Sequence, residues 1–392
     1  MRLIYLDHNA SSPPPPAVLQ AVARALVDDW ANPSSGHAPG QAARRLLVQS
    51  RAQVADLVGC RPAELVFTSG ATEANRLALD GALARGATQG RRRLLVSAIE
   101  HPGLLAHARL LSDQGLAVER LPVRPDGRLD IDTALARLDS DVALVSVMAA
   151  HNETGVWQLD ALAALAPRAR ALGVPLHSDA TQALARGLPR FDALGVDLLS
   201  VSAHKIGGPK GVGALVVRKG LDWPAAWPGQ QERGRRAGTE NMPGIAGFGA
   251  AAVCAARRLA QGELDRLEGL RDRLEQGLVA SLGAQPIGAA VPRLPQTTLL
   301  RVPGLHAEAA LARLQAAGVA ASSGAACASG HAQASHALLA MGLDAAAALE
   351  ALRFSLGAGT TRDDIDAALA AAAVALGPPR GDPSIPPSRS PR

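Results

Sequence analysis

Five short runs rich in Val and Leu, at 94–98, 142–147, 174–177, 196–201 and 212–217, punctuate a chain that otherwise carries helical patterning. Apolar runs this short, separated by helical stretches, read as buried strands. Helices are expected at 41–58, 72–84 and 160–172, the last interrupted at Pro167. Strands alternating with crossover helices require a mostly parallel sheet covered on both faces, which makes the fold class α/β. After about Gly247 the character changes. A long helical stretch at 250–282, a strand-like 296–302 and an Ala-rich helical ending to Leu376 read as a second, smaller α+β domain. The large domain is placed at 15–256 and the small one at 1–14 plus 257–376. Residues 377–392 hold six prolines among Ser, Arg and Gly, a composition that predicts disorder.

A net charge of +5, spread without basic runs or interleaved aromatics, argues against nucleic acid as a partner. No stretch is long and apolar enough to span a membrane. Asp7 and His8 interrupt the N-terminus before a signal-peptide core can build, and a cytoplasmic protein is expected. Cys60, Cys254 and Cys327 are odd in number and far apart, which fits neither a disulfide framework nor a zinc site, and no metal is expected.

Lys205 is one of only three lysines among 40 basic residues, and it follows the run at 196–201 in Ser202-Ala203-His204-Lys205-Ile206-Gly207. Partial burial there would disfavour the ammonium and free a nucleophilic amine. Taken alone, it reads first as a lysine on a surface loop. Asp179 ends the preceding strand-like run, where open α/β sheets bind ligands. An Asp facing a lysine Schiff base across a flat ring is the pyridoxal phosphate (PLP) arrangement; the alternative is a helix N-cap. The segment from Thr68 to Asn75, with Ala71 and Thr72 at its centre, opens a helix and offers N–H groups to a phosphate, unless Ser69 or Thr72 simply caps that helix. His101 follows the run at 94–98 and can stack on a ring, or sit at a helix start on the surface. The polar segment 235–241 can meet a phosphate or a partner subunit. Cys327 lies in the small-residue stretch 321–330 between Gly324 and Gly330, a candidate nucleophile on a hinged loop. Cys60 and Cys254, in apolar helical contexts, read as buried packing residues. Arg353, a charge inside an apolar stretch, suits a substrate carboxylate or a structural ion pair.

In this order, these segments closely resemble the cysteine desulfurases of the class V aminotransferase group, fold-type I PLP enzymes. The resemblance runs from Tyr5-Leu6-Asp7-His8-Asn9-Ala10 to Thr360-Thr361. It includes Asn32-Pro33-Ser34-Ser35, Thr68-Ser69-Gly70-Ala71-Thr72-Glu73, Glu100-His101, Asn152-Glu153-Thr154-Gly155, Asp179 with Gln182, Ser202-Ala203-His204-Lys205, Gly238-Thr239-Glu240-Asn241 and the loop of Cys327. It implies a large domain with a seven-stranded-type, mostly parallel sheet. It also implies that Lys205 forms the Schiff base and moves the substrate's protons, that Asp179 pairs with the pyridine nitrogen, that His101 stacks on the ring and that Gln182 lies by the ring hydroxyl. Ala71, Thr72, Ser202 and His204 would hold the phosphate, with Thr239 contributed by the other subunit of a homodimer. Asn152 and Arg353 would hold the carboxylate of L-cysteine, and Cys327 would take its sulfur as a persulfide for an acceptor protein. A selenocysteine lyase or another class V enzyme is the alternative; a catalytically silent partner protein has no need of Lys205, Asp179, His101 and Cys327 together. The loop reads Gly-Ala-Ala-Cys where the family has Gly-Ser-Ala-Cys, and the Pro-rich ending differs from the segment that docks iron–sulfur scaffolds.

Overall fold

The computed structural model describes residues 3–225, 227–323 and 333–377. Among them twelve strands are numbered in chain order: β1 (Ile4–Tyr5), β2 (Leu65–Thr68), β3 (Arg93–Ser97), β4 (Ala117–Leu121), β5 (Val142–Ser146), β6 (Leu176–Asp179), β7 (Leu198–Ser202), β8 (Gly213–Val217), β9 (Gln285–Pro286), β10 (Thr297–Arg301), β11 (Val319–Ala320) and β12 (Ala351–Ser355).

Seven of them form the large sheet, in the order β2-β8-β7-β6-β5-β3-β4. Only β8 is antiparallel to its neighbours. The expected α/β fold with a mostly parallel sheet is therefore the one this chain adopts. Every residue of β5, β7 and β8 is buried, because helices cover both faces. Alternation along β8 shows this directly. Ala214 and Val216 pack with Ile245 and Phe248 of the helix Met242–Ala260, while Leu215 and Val217 pack on the opposite face with Leu77 and Ala78 of the helix Ala71–Gln89.

Three expectations are corrected. The helix Leu159–Ala171 runs through Pro167 without interruption. Pro167 and Ala163 face solvent, so the carbonyl that loses its donor is hydrated, while Leu162, Leu165 and Ala169 stay buried beneath. The stretch 250–282 is two helices, Met242–Ala260 and Glu263–Leu282, separated where Gly262 takes φ 78°. The Ala-rich ending contains β12, buried throughout and antiparallel to β10.

In the second core, β9, β10 and β12 and the helices Glu263–Leu282, Ala307–Ala316 and Arg362–Leu376 enclose Leu274, Leu300, Phe354 and Ile365. The chain starts in this layer: β1 pairs with β11 and Leu6 is fully buried there. It then crosses to the large sheet, bringing Asn9 and Ala10 to Lys205. The C-terminal ends of β2, β3, β5, β6 and β7 share one edge of the large sheet, the place where such sheets bind ligands.

Candidate active site

A cavity of about 430 Å³ opens at that edge. Lys205 enters it from a short 3₁₀ turn, Ala203–Ile206, that follows β7 and ends at Gly207 with φ 86°. Its Nζ donates to the carbonyl of Asn9 and, at 3.2 Å, to that of Ala10. Burial, with Arg353 adding to it, lowers the amine to about 8, while Asp179 and Asp7 act the other way. A substantial neutral, nucleophilic fraction therefore exists near neutral pH.

Asp179 ends β6 and is 5% exposed. Its Oδ2 accepts from Asn75 Nδ2 at 2.7 Å and its Oδ1 from the Thr181 N–H at 2.9 Å, which fixes the carboxylate at the cavity wall. His101 caps the helix Pro102–Asp113, as one reading of the sequence allowed, and it also lines the cavity. Its Nδ1 accepts from the Gly103 N–H at 3.1 Å, so the neutral ring carries its proton on Nε2. Burial lowers its pKa, Asp179 opposes this and Lys205 adds to it.

The helix Ala71–Gln89 starts at Gly70 with no side-chain cap. Neither Ser69 nor Thr72 caps it. Thr68 Oγ1 instead donates to the Gly70 carbonyl at 2.9 Å, and the Ser69 N–H donates to Glu73 at 2.7 Å. The first turn, with Ala71 and Thr72, thus presents uncapped N–H groups to the cavity, an anion cradle. Behind it the chain passes so close to β8 that a Cβ on Gly213 would lie 2.7 Å from Gly70 Cα, which only glycine permits. Ser202, His204 and Lys210 line the same cavity. His204 is pushed down to about 4 by burial and then by Lys205 and Lys210, and its Nδ1 lies 3.3 Å from Ser11 Oγ.

Gln182 lines the cavity and donates Nε2–H to the Asn9 carbonyl at 2.9 Å. Asn152 lines it too, and its carbonyl accepts from Asn9 Nδ2 at 3.2 Å. Arg353, on β12, stands behind Asn152 rather than in the wall. Nη1 donates to the Asn152 carbonyl at 3.1 Å, Nη2 pairs with Asp7 at 2.6 Å, and Nε is buried without a partner among the described residues. Thr239 is exposed and lies outside this cavity. Cys327, with Gly324 and Gly330, falls outside the described residues. The chain on either side of that segment is anchored at the site. Ser322 and Arg353 exchange backbone hydrogen bonds of 3.1 and 2.7 Å, and His336 Nε2 lies 3.0 Å from the Glu100 carbonyl. Ser335 holds Glu153, whose carboxyl is raised to about 7 by burial against the lowering effects of Ser335 and Arg353.

Asn75, Lys210 and Glu153 were not singled out from the sequence. The scarcity of lysine was a usable signal for Lys210; nothing marked Asn75 as reaching another strand. Cys60 and Cys254 are half-buried rather than buried, and Cys60 lies just past the helix Ala38–Val58 instead of within it.

Residues 4–368 match the family described as Aminotransferase class-V. A cysteine desulfurase of Frankia sp. (strain EuIK1) is 47% identical over 378 residues, 93% of this chain and 88% of that protein. Among solved structures, a NifS-like protein superposes with a TM-score of 0.88 at 32% identity, covering 96% of this chain and 99% of the other. SspA in complex with cysteine gives 0.77 at 28%, covering 90% and 98%.

Proposed function

This chain belongs to the class-V aminotransferase family and is a cysteine desulfurase, and from that premise we propose how its residues divide the reaction. One observation carries the reading: a lysine amine lowered to about 8 and an oriented Asp179 line one cavity that also contains an uncapped helix N-terminus.

These residues fit PLP. The N–H groups at Ala71 and Thr72, with Ser202 and His204, suit its phosphate, Asp179 its ring nitrogen, His101 its ring face, Gln182 its ring hydroxyl and Lys205 its aldehyde carbon. When bound, PLP supplies an electron sink for charge developing at the substrate Cα. Lys205 takes the Cα proton of L-cysteine and returns a proton to the carbon fragment, a role for which an amine titrating near 8 is well matched. Asn152 and Arg353 orient the substrate carboxylate. Among the described residues two of the five guanidinium N–H groups of Arg353 are engaged, by the Asn152 carbonyl and by Asp7.

Cys327 attacks the substrate sulfur as a thiolate. The new S–S bond forms as the C–S bond breaks, the electron pair passes to the carbon fragment, and that fragment leaves as L-alanine. The persulfide on Cys327 then goes to an acceptor protein. The anchoring of Ser322 at Arg353 and of His336 at Glu100 supports this role, since both ends of the segment bearing Cys327 start from the site. Thr239, exposed on its own chain, is assigned to the phosphate of a second copy in a homodimer. A cytoplasmic setting suits a thiol that must stay reduced between turnovers.

Alanine and sulfide release from L-cysteine with added thiol, measured for wild type beside Cys327→Ser, tests the assignment. Equimolar products that vanish in the variant are expected; unchanged turnover in Cys327→Ser would overturn the role of Cys327.

A further inference from the structure

A second cavity, of about 380 Å³, lies between the two cores and shares no lining residue with the first. One wall is the segment Ser12–Pro15, Arg186 and Ile206–Gly207. Its other wall is Arg258, Gly359 and Thr360. We propose that this cleft binds a small oxyanion, a carboxylate or a phosphate monoester, on the guanidinium of Arg186.

Arg186 is 6% exposed, lines the cleft, and its side chain makes no hydrogen bond or ion pair among the described residues. A buried guanidinium that donates to no acceptor is costly; Glu263 opposes its charge from nearby, but no hydrogen bond or ion pair joins the two among the described residues. Glu263 holds Arg258 Nε at 3.2 Å through Oε2, its Oε1 being buried without a partner among the described residues, and Asp364, which also lines the cleft, serves the N-terminus of the helix Arg362–Leu376. Nearby Arg266 has turned its donors to the carbonyls of Gly357, Ala358 and Thr360. Burial, with Arg258 and Arg266 adding to it against Glu263, brings Arg186 down to about 10.

The rest of the cleft defines the ligand. Arg186 presents a planar fork of donors, which matches an oxyanion in bidentate fashion. Ser12 and Thr360 place hydroxyl-bearing residues in the wall, and Ile4, the three prolines and Ile206 supply an apolar surface for a short carbon body. The turn that delivers Arg186 also carries strain: Ala185 sits at φ 57°, a conformation a side chain resists and one that accumulates at ligand sites. The cleft touches the catalytic turn, since Ser12 Oγ donates to the Lys205 carbonyl at 3.2 Å.

The test uses PLP-loaded protein, so that the cofactor's phosphate position is filled. Inorganic phosphate and propionate are titrated calorimetrically at matched ionic strength, with chloride as control, into wild type and Arg186→Gln. Saturable binding at one site per chain, weakened at least tenfold by Arg186→Gln with the cofactor absorbance unchanged, is expected. Preference for phosphate identifies a phosphate-ester head, and preference for propionate a carboxylate. Absence of binding by both, a response matched by chloride, or equal binding to Arg186→Gln overturns the proposal. Should the variant not fold, hydrogen exchange of the wild type decides. Protection of the amides at 357–361 by the bound anion is expected, and unchanged exchange there rejects the site.

Discussion

Asn75 holds Asp179 from a different element: its Nδ2–H donates to Oδ2 at 2.7 Å, linking the helix after β2 to the end of β6. A hydrogen bond to a charged group is worth about 1.5–3 kcal/mol, about tenfold to a hundredfold in an equilibrium. Asn75→Ala is therefore expected to weaken PLP binding and lower kcat/KM by about ten- to a hundredfold while the protein stays folded. Cofactor titration by absorbance, beside alanine release, checks this; wild-type values in the variant would mean that Thr181 alone orients Asp179.

That contact also shows where the sequence stops being legible. The inner strands were readable because burial on both faces demands continuous Val and Leu, as in β5 and β8. β4 was not, because an edge strand reading Ala-Val-Glu-Arg-Leu is half solvated and lacks that signature. β12 was hidden by its Ala-rich surroundings and by Arg353 at its centre, a charge tolerated there because Asp7 and the Asn152 carbonyl receive it. Lys205 and Asp179 stood out because each ends a strand-like run. Asn75 lies on the inner face of a helix, where neither periodicity nor spacing reveals that it reaches another strand. Arg186 was equally silent, since an arginine on a turn reads as solvated until its burial is seen.

Lys205 affects stability in the cofactor-free protein with a definite sign. Its amine is lowered to about 8 in the fold against about 10.4 in an unfolded chain. The unfolded state thus binds more protons between those values, and this residue's penalty is full below pH 8 and fades as pH rises toward 10. Lys205→Met should stabilise the apo protein at pH 7 by at most about 3 kcal/mol, with the gain shrinking above pH 8. Urea unfolding of both apo proteins across pH 6.5–10 is the measurement. A gain independent of pH would place the effect in packing instead. The same variant is expected to lose turnover.

The buried pair of Arg51 and Glu232, with contacts of 2.6 and 2.8 Å, ties the stretch before Thr239 to the large sheet. Glu232 also accepts from the Phe67 N–H at 2.9 Å, and Arg51 donates to the Leu65 carbonyl at 2.7 Å, so both grip β2. Removing one partner strands the other charge, at a cost of about 3–5 kcal/mol. Glu232→Gln should lose stability on that scale and raise hydrogen exchange across 231–241. A loss below about 1 kcal/mol would show that Arg51 finds another acceptor.

Ala185 is buried at φ 57°, where a Cβ is unfavourable and glycine is not. Ala185→Gly should stabilise by about 1 kcal/mol, the relief of the left-handed strain outweighing the extra chain entropy of glycine. A lower urea midpoint in the variant would mean that the methyl group's packing among Ala183 and Leu184 counts for more than the strain.

Cys60 provides an internal contrast for Cys327. Burial, then Glu64, pushes the Cys60 thiol up to about 12, with its own backbone and Arg190 opposing. A thiol held near 12 carries on the order of a thousandfold less thiolate at a given pH than an ordinary one, and the thiolate is the reactive form. Iodoacetamide at pH 8 should therefore label Cys327 well before Cys60, and inactivation should follow the Cys327 label as read by peptide mass spectrometry. After incubation with L-cysteine the label on the Cys327 peptide should be heavier by one sulfur, because iodoacetamide then alkylates the outer sulfur of the persulfide. Cys60→Ser is expected to turn over L-cysteine at the wild-type rate. Inactivation that tracks the Cys60 peptide would reverse the assignment and make the thiol beside Glu64 the sulfur acceptor.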